Sequence, residues 1–215
     1  MAQAGQKTRR SATRAATEAR ILDAALDVFS AHGFRGSTLD GIAAAAGMSK
    51  PNLLYYFATK DEMHIALIEG LMAAWLDPLE ALDPAGDPIE ELRAYIRRKL
   101  TMARTHPRES RLFANEIVQG APRIAPMLSG RLRALVEAKA RVIRGWIAQG
   151  RLAAVDPVHL IFAIWATTQH YADFDAQVRA VAGDDPARFD TAQTTLETLF
   201  LDGLRPRVNP APPAE

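Results

Sequence analysis

The run Ser49-Lys50-Pro51-Asn52-Leu53-Leu54-Tyr55-Tyr56 sets five polar or charged side chains around two leucines. Lysine neutralises a phosphate, asparagine pairs with an adenine edge, and a tyrosine hydroxyl reaches phosphate or base. On a short helix opening at Ser49, the face away from the leucine core would carry Lys50, Asn52, Tyr55 and Tyr56. Thr38 and Lys60 stand near two further helix starts, where unpaired N–H groups favour a phosphate. A second group lies far downstream. Trp165, Gln169 and Asp173 follow at four-residue spacing, so one helix would show all three on one face. An indole beside an amide and a carboxylate can stack on a flat ring and bond its polar edge. Gln169 offers a donor and an acceptor together, which suits a lactam. A core tryptophan with a partnered N–H, flanked by residues that cap neighbouring helices, fits the same spacing.

The first group needs a scaffold that holds a short helix outward. From about Glu18, the apolar Ile21, Leu22, Ala25, Val28 and Phe29 recur at helical spacing until Gly33 stops them. Ser37 or Thr38 then caps a second helix with Leu39, Ile42, Ala43 and Ala46 inward; Ser37 with Asp40 resembles a capping box. Gly47 supplies the left-handed conformation of a tight turn, and Ala43, Ala44 and Ala46 are small enough for two helices to approach closely. Ser49 caps the third helix, with Pro51 tolerated in its first turn. Two capped helices about a glycine predict a helix-turn-helix whose second helix enters a major groove. Charge supports it: up to Lys60, eight basic against four acidic residues give +4, whereas the remainder, with 18 basic and 21 acidic, carries −3. A basic N-terminal part on a mildly acidic body implies a polyanion-binding module.

Helical periods continue over 60–76 (stopped near Pro78), 89–105, 107–119, 121–149, 156–181 and 186–204, punctuated by Gly120, Gly150, Asp156-Pro157 and Gly183. The segment 82–88, with Pro84, Gly86 and Pro88, reads as a loop. No alternating strand pattern occurs. The expectation is an all-α chain of about nine helices: a flexible basic arm at 1–17, a helix-turn-helix domain at 18–63, a ligand-binding and dimerisation domain at 64–207, and a disordered tail at 208–215. Leu160, Ile164, Leu196, Leu199 and Phe200 would pack either against a symmetry mate or inside their own domain.

Other functions are disfavoured. The chain has no cysteine, so disulfides and thiolate metal sites are excluded. It opens without the apolar segment of a signal peptide and contains no bilayer-length apolar run, which suits the cytoplasm and no membrane partner. His64, His106, His159 and His170 lack the pairing of a zinc site, so no metal or cofactor is expected. Nucleophile motifs, phosphate loops and HExxH are missing, which argues against an enzyme.

The pattern Ala24-Ala25…Phe29…Gly33-Phe34…Thr38…Ile42-Ala43…Ala46-Gly47-Met48-Ser49…Leu54-Tyr55-Tyr56-Phe57…Lys60 resembles the DNA-binding domain of the TetR family. The resemblance implies a homodimer on a palindromic double-stranded DNA operator and a C-terminal domain for a small-molecule effector. It places Thr38, Lys50, Asn52, Tyr55, Tyr56 and Lys60 at DNA-facing positions, with Pro51 standing where a small flexible residue is usual. The runs Ser110-Arg111-Leu112-Phe113…Glu116…Gly120-Ala121-Pro122 and 156–174 are similar to the pyrimidine-utilisation branch of that family, which responds to uracil and thymine. That similarity implies release from DNA by a pyrimidine base, with Trp165 stacking on the ring and Gln169 bonding its oxygen and N–H. Trp75, Thr168 and Asp173 would then line the pocket. Three alternatives remain open: a sensor of bulkier apolar or aromatic compounds controlling efflux or catabolism, an enzyme acting on a small pyrimidine, and a DNA-binding structural protein without an effector.

Overall fold

The structure, a computed structural model, describes the backbone of residues 2–206 and the side chains of residues 12–206; the tail expected at 208–215 lies outside them. Every regular element among the described residues is helical. The chain divides into two compact units, residues 1–74 with 108–126 and residues 75–107 with 127–215.

In the first unit, α1 spans Ala2–Gly36, with Gly33 (φ 65°) interrupting the helical backbone where the sequence places its stop. It begins well before Glu18. The basic arm is rich in Ala, Gln, Lys and Arg and free of proline, so it extends a helix that the apolar period has already nucleated. Thr38 alone caps α2 (Leu39–Ala45), its hydroxyl accepting from Gly41 N at 3.0 Å. Ser37 is not the cap: it is buried, and its hydroxyl donates backward to Gly33 O at 2.6 Å and Val28 O at 3.2 Å. After Gly47 (φ 63°), Ser49 caps α3 (Lys50–Tyr56) by accepting from Asn52 N. Ile42 and Leu53, both fully buried, join the two short helices to the core that contains Ile21, Ala25 and Phe29. Leu54 is not a core partner of Leu53, since it is 38% exposed.

The helix α4 (Lys60–Glu80) does not stop at Pro78 but carries it in its last turn, where only one intrahelical N–H bond is forfeited. Next come α5 (Pro88–Thr105), capped by Asp87, and α6 (Pro107–Val118). Two successive left-handed residues, Gly120 (φ 87°) and Ala121 (φ 54°), then reverse the chain. Ala125–Met127, a π-helical turn Leu128–Leu132 and Arg133–Ala148 run on as one helix, α7.

Where one helix was expected over 156–181 there are two, α8 (Pro157–Asp173) and α9 (Asp175–Ala182), because Phe174 leaves helical geometry at φ −114°, ψ 29°. With α10 (Arg188–Leu204) the described helices number ten rather than nine. The core of the second unit is built from α5, α7, α8 and α10, with Ile96, Ile143, Trp146 and Ile164 at its centre. Leu160, Ile164 and Leu196 belong to this core and not to an outer face. Leu199, 65% exposed, faces outward, and Phe200 packs partly against the core. The connection after α4 is irregular but clasped by α7 and the residues after it. Lys139 donates to Glu80 O and Leu82 O, Trp146 to Pro84 O, and Arg151 to Gly86 O, at 2.6 to 3.0 Å.

Candidate nucleic-acid interface and effector site

The outward face of α3 is polar and open. Pro51 and Asn52 are exposed, Tyr55 is 72% exposed, and Tyr56 is half-buried with its ring edge-on to Tyr55 at 5.2 Å. Lys50 is exposed, and its ammonium sits 3.0 Å from Asp40 of α2, an ion pair that holds the side chain across the two helices. Lys60 is different. Its ammonium donates to Phe34 O at 2.8 Å and Ser37 O at 2.7 Å and lies 4.3 Å from the centre of the Phe34 ring. Two of its three N–H donors therefore bind the end of α1 to the start of α4. Thr38 remains exposed at the N-terminus of α2.

The same unit holds a buried ionic group. Glu116 (α6) is enclosed; Arg123 N donates to it at 2.9 Å and the Arg123 guanidinium at 3.2 Å. The same guanidinium bonds Asp61 at 2.9 Å and stacks 3.3 Å from the centre of the Phe34 ring. At the other end of α6, Arg108 grips Asp23 and Asp27 of α1. His64, 1% exposed, sits edge-on to Phe29 and Phe34 at 5.1 Å, with its Nε2 3.9 Å from Glu116. Burial outweighs the attraction of Glu116, which Arg123 already neutralises, and lowers the His64 pKa from 6.5 to about 4. The consequence has a definite sign. The unfolded chain takes up this proton near pH 6.5 and the folded one only near 4, so stability is complete above 6.5 and falls as pH drops towards 4. The expected loss is roughly 3 kcal/mol, since each tenfold difference in proton affinity is worth about 1.4 kcal/mol. Urea unfolding at a series of pH values checks it; His64→Phe, which fills the same aromatic slot, should flatten that segment of the profile. An unchanged slope in the variant would assign the loss to another group.

The second unit holds the downstream group. Trp165 and Gln169 are half-buried on α8, and Asp173 closes the helix on the same face. Opposite them, α5 presents Tyr95 and Lys99, one turn apart and buried. Trp165 Nε1 donates to the Tyr95 hydroxyl. Lys99 lies 4.5 Å from the centre of the buried Trp75 ring, in the field of Asp173. Burial pushes the Lys99 ammonium down to about 8 against the pull of Asp173, and it pushes the Tyr95 phenol upward. Gln169 stands one turn from each rung of this ladder. Thr168 is fully buried, and its hydroxyl donates to Ile164 O at 2.7 Å in its own helix. The other side of Trp165 borders an open apolar groove of about 310 Å³ lined by Leu128, Leu132, Val136, Val158 and Phe162, with Arg133 and Glu137 at its edge. Gln169 does not line that groove.

Two family descriptions match this chain: "Bacterial regulatory proteins, tetR family" over residues 21–67, and "YcdC-like protein, C-terminal region" over residues 68–207. The HTH-type transcriptional regulator RutR of Escherichia coli K12 is 44% identical over 212 residues, which cover 96% of this chain and all of that protein. The chain belongs to the TetR family. Among solved structures, a TetR-like transcriptional regulator from Rhodococcus sp. RHA1 superposes with a TM-score of 0.65 at 30% identity, covering 85% of this chain and 92% of that one. AibR in complex with isovaleryl coenzyme A and operator DNA shares the fold, with a TM-score of 0.64 at 19% identity over 86% of this chain and 98% of that one.

TetR-family proteins are regulators and not enzymes; they bind operator DNA and small effectors and act as dimers. This TetR-family regulator is a DNA-binding, ligand-responsive transcription factor, and none of its described helices is long and apolar enough to cross a membrane. Sequence reasoning missed Lys99 and Tyr95. The signal was there: Leu92, Tyr95, Ile96, Lys99, Leu100 and Ala103 follow the inward helical period, and a lysine in such a stripe is out of place unless it has work to do.

Proposed function

We propose that this regulator is a repressor released from a palindromic operator by a pyrimidine base such as uracil or thymine, and that it works in the cytoplasm. The observation that carries the effector class is the pair of facing helices α5 and α8. A uracil ring has two carbonyl oxygens and two N–H groups alternating around four consecutive positions of its flat ring. The ammonium of Lys99 and the amide N–H of Gln169 match the oxygens; the Asp173 carboxylate and the amide oxygen of Gln169 match the N–H groups. The indoles of Trp75 and Trp165 supply the flat apolar walls. Asn52, Pro51, Lys50, Tyr55 and Tyr56 of α3, with Thr38 at the start of α2, face the operator, and the main-chain N–H groups at the start of α4 with the remaining N–H of Lys60 meet a phosphate. The apolar groove beside Trp165 favours a second reading, a bulkier aromatic effector bound outside the ladder.

An effector weakens operator binding only by as much as it prefers the DNA-free state, and operator DNA weakens effector binding by the same factor. Mobility shifts on the gene's own upstream DNA test the proposal. Uracil or thymine should dissociate the complex, and cytosine, which lacks the N3–H, should act at least tenfold less well. Gln169→Ala should abolish release while keeping the shift. No response to either base in both shift and calorimetry, with the shift intact, would reject the pyrimidine and leave the DNA reading standing.

A further inference from the structure

Trp165 belongs both to the ladder between α5 and α8 and to the open apolar groove of about 310 Å³ beside it. Tyr95, Lys99, Gln169 and Asp173 do not line that groove, so the Trp165 indole is the partition between the two spaces. It is held unevenly. On the ladder side its Nε1 donates to the hydroxyl of Tyr95, which is itself buried. On the groove side it meets the Phe162 ring, tilted at 5.6 Å and 47% exposed, and the mouth of the groove. Without the Tyr95 oxygen the indole N–H would face a buried phenyl ring, and a buried donor with no acceptor is costly. Rotation of the side chain would carry the same N–H towards solvent and the Arg133–Glu137 ion pair at the groove's edge. The indole would then leave the ladder, and the two spaces would become one.

We infer that Tyr95 is a specificity-determining residue of effector binding that acts through Trp165: its hydroxyl latches the indole as a wall, and this wall limits the ladder to a single ring. The inference rests on the pyrimidine reading of the ladder and adds what sets its upper size. With the latch released, the site takes a base that carries a second, apolar ring, housed in the groove beside Leu132, Val136 and Phe162. Tyr95 is thus a positioning residue, and it need not touch the effector.

Calorimetric titrations of the full chain with uracil and with quinazoline-2,4-dione test it. The second compound repeats the alternating carbonyl and N–H groups of uracil and adds a fused benzene ring. The parent should prefer uracil by roughly 100-fold, the order expected when an extra ring must force a closed wall. Tyr95→Phe should bind uracil about tenfold more weakly, bind quinazoline-2,4-dione more tightly, and so lose most of that preference. Val158→Phe, which fills the groove, should restore the preference when added to Tyr95→Phe; a fold merely loosened by the lost hydroxyl would not be rescued from that side. A second readout follows the wall without any effector. Lys99 is buried, so acetic anhydride should acetylate it slowly in the parent and about tenfold faster in Tyr95→Phe, as read by peptide mass spectrometry. An unchanged preference in Tyr95→Phe overturns the proposal. So does an equal weakening of both compounds, which would make Tyr95 a packing residue. Should the parent bind neither compound, the pyrimidine reading falls, and acetylation alone decides the latch: equal rates in parent and Tyr95→Phe sink it.

Discussion

Lys99→Met should give a protein that is more stable than the parent and blind to its effector. Lys99 is 4% exposed, and burial lowers its pKa from 10.5 to about 8, so at pH 7 the folded chain holds a charged ammonium in a poorly solvated place. A lysine whose folded pKa is lowered penalises folding wherever the group is charged in both states. Stability rises as pH climbs from 8 through 10.5, where the unfolded chain alone still holds the proton. A difference of this size corresponds to roughly 3 kcal/mol. Methionine keeps the unbranched volume without the charge, so a gain of about 1–3 kcal/mol is expected, or some 2–4 °C of melting temperature for each kcal/mol. The same change removes a charge-assisted donor to the base, a loss of about 10- to 100-fold in affinity. Calorimetric melting together with uracil titration reads both. A variant that melts lower and still binds uracil as tightly as the parent would show that Lys99 serves packing alone. The expected pattern is the signature of a group kept for its ligand at the expense of the fold.

Arg123→Ala should be the most damaging single change in the DNA-reading unit. Glu116 has no exposed side-chain surface, and Arg123 is its charged partner as well as the stacking partner of Phe34 and the ligand of Asp61. Removing one member of a buried pair leaves the other charge uncompensated, at a loss of about 3–5 kcal/mol. Glu116→Gln keeps hydrogen-bonding capacity and removes the buried charge, so it should cost much less. Thermal melts of the two variants compare these directly. If both lost the same small amount, the cluster would have no electrostatic role.

The helix-turn-helix was legible because its causes are local. Thr38, Gly47 and Ser49 act on neighbours two to four residues away, and Ile42 and Leu53 sit on short apolar periods. The face proposed for the effector was only half visible to the sequence. Trp165, Gln169 and Asp173 share one helix, so spacing reveals them. Lys99 and Tyr95 come from a distant helix, and only their pairing with α8 gives them meaning. The placement of α6 with the first unit was beyond reach for the same reason: nothing near Arg108 or Arg123 in sequence announces Asp23, Asp27 or Phe34 as partners. Lys60 was legible only in part: its position at a helix start suggests a phosphate contact, but nothing in the sequence announces the carbonyl oxygens 26 and 23 residues upstream that two of its N–H groups reach. The break at Phe174 has no local signal that we can name.

The connection between α4 and α5 has the composition of a hinge, yet Lys139, Trp146 and Arg151 hold its carbonyl groups from below. An inserted residue there would strand the buried indole N–H of Trp146 without a mate. Its length is consequently fixed by the helix beneath it, and peptide tags or domain fusions are better grafted elsewhere. A segment rich in proline and glycine is, in this fold, a strut.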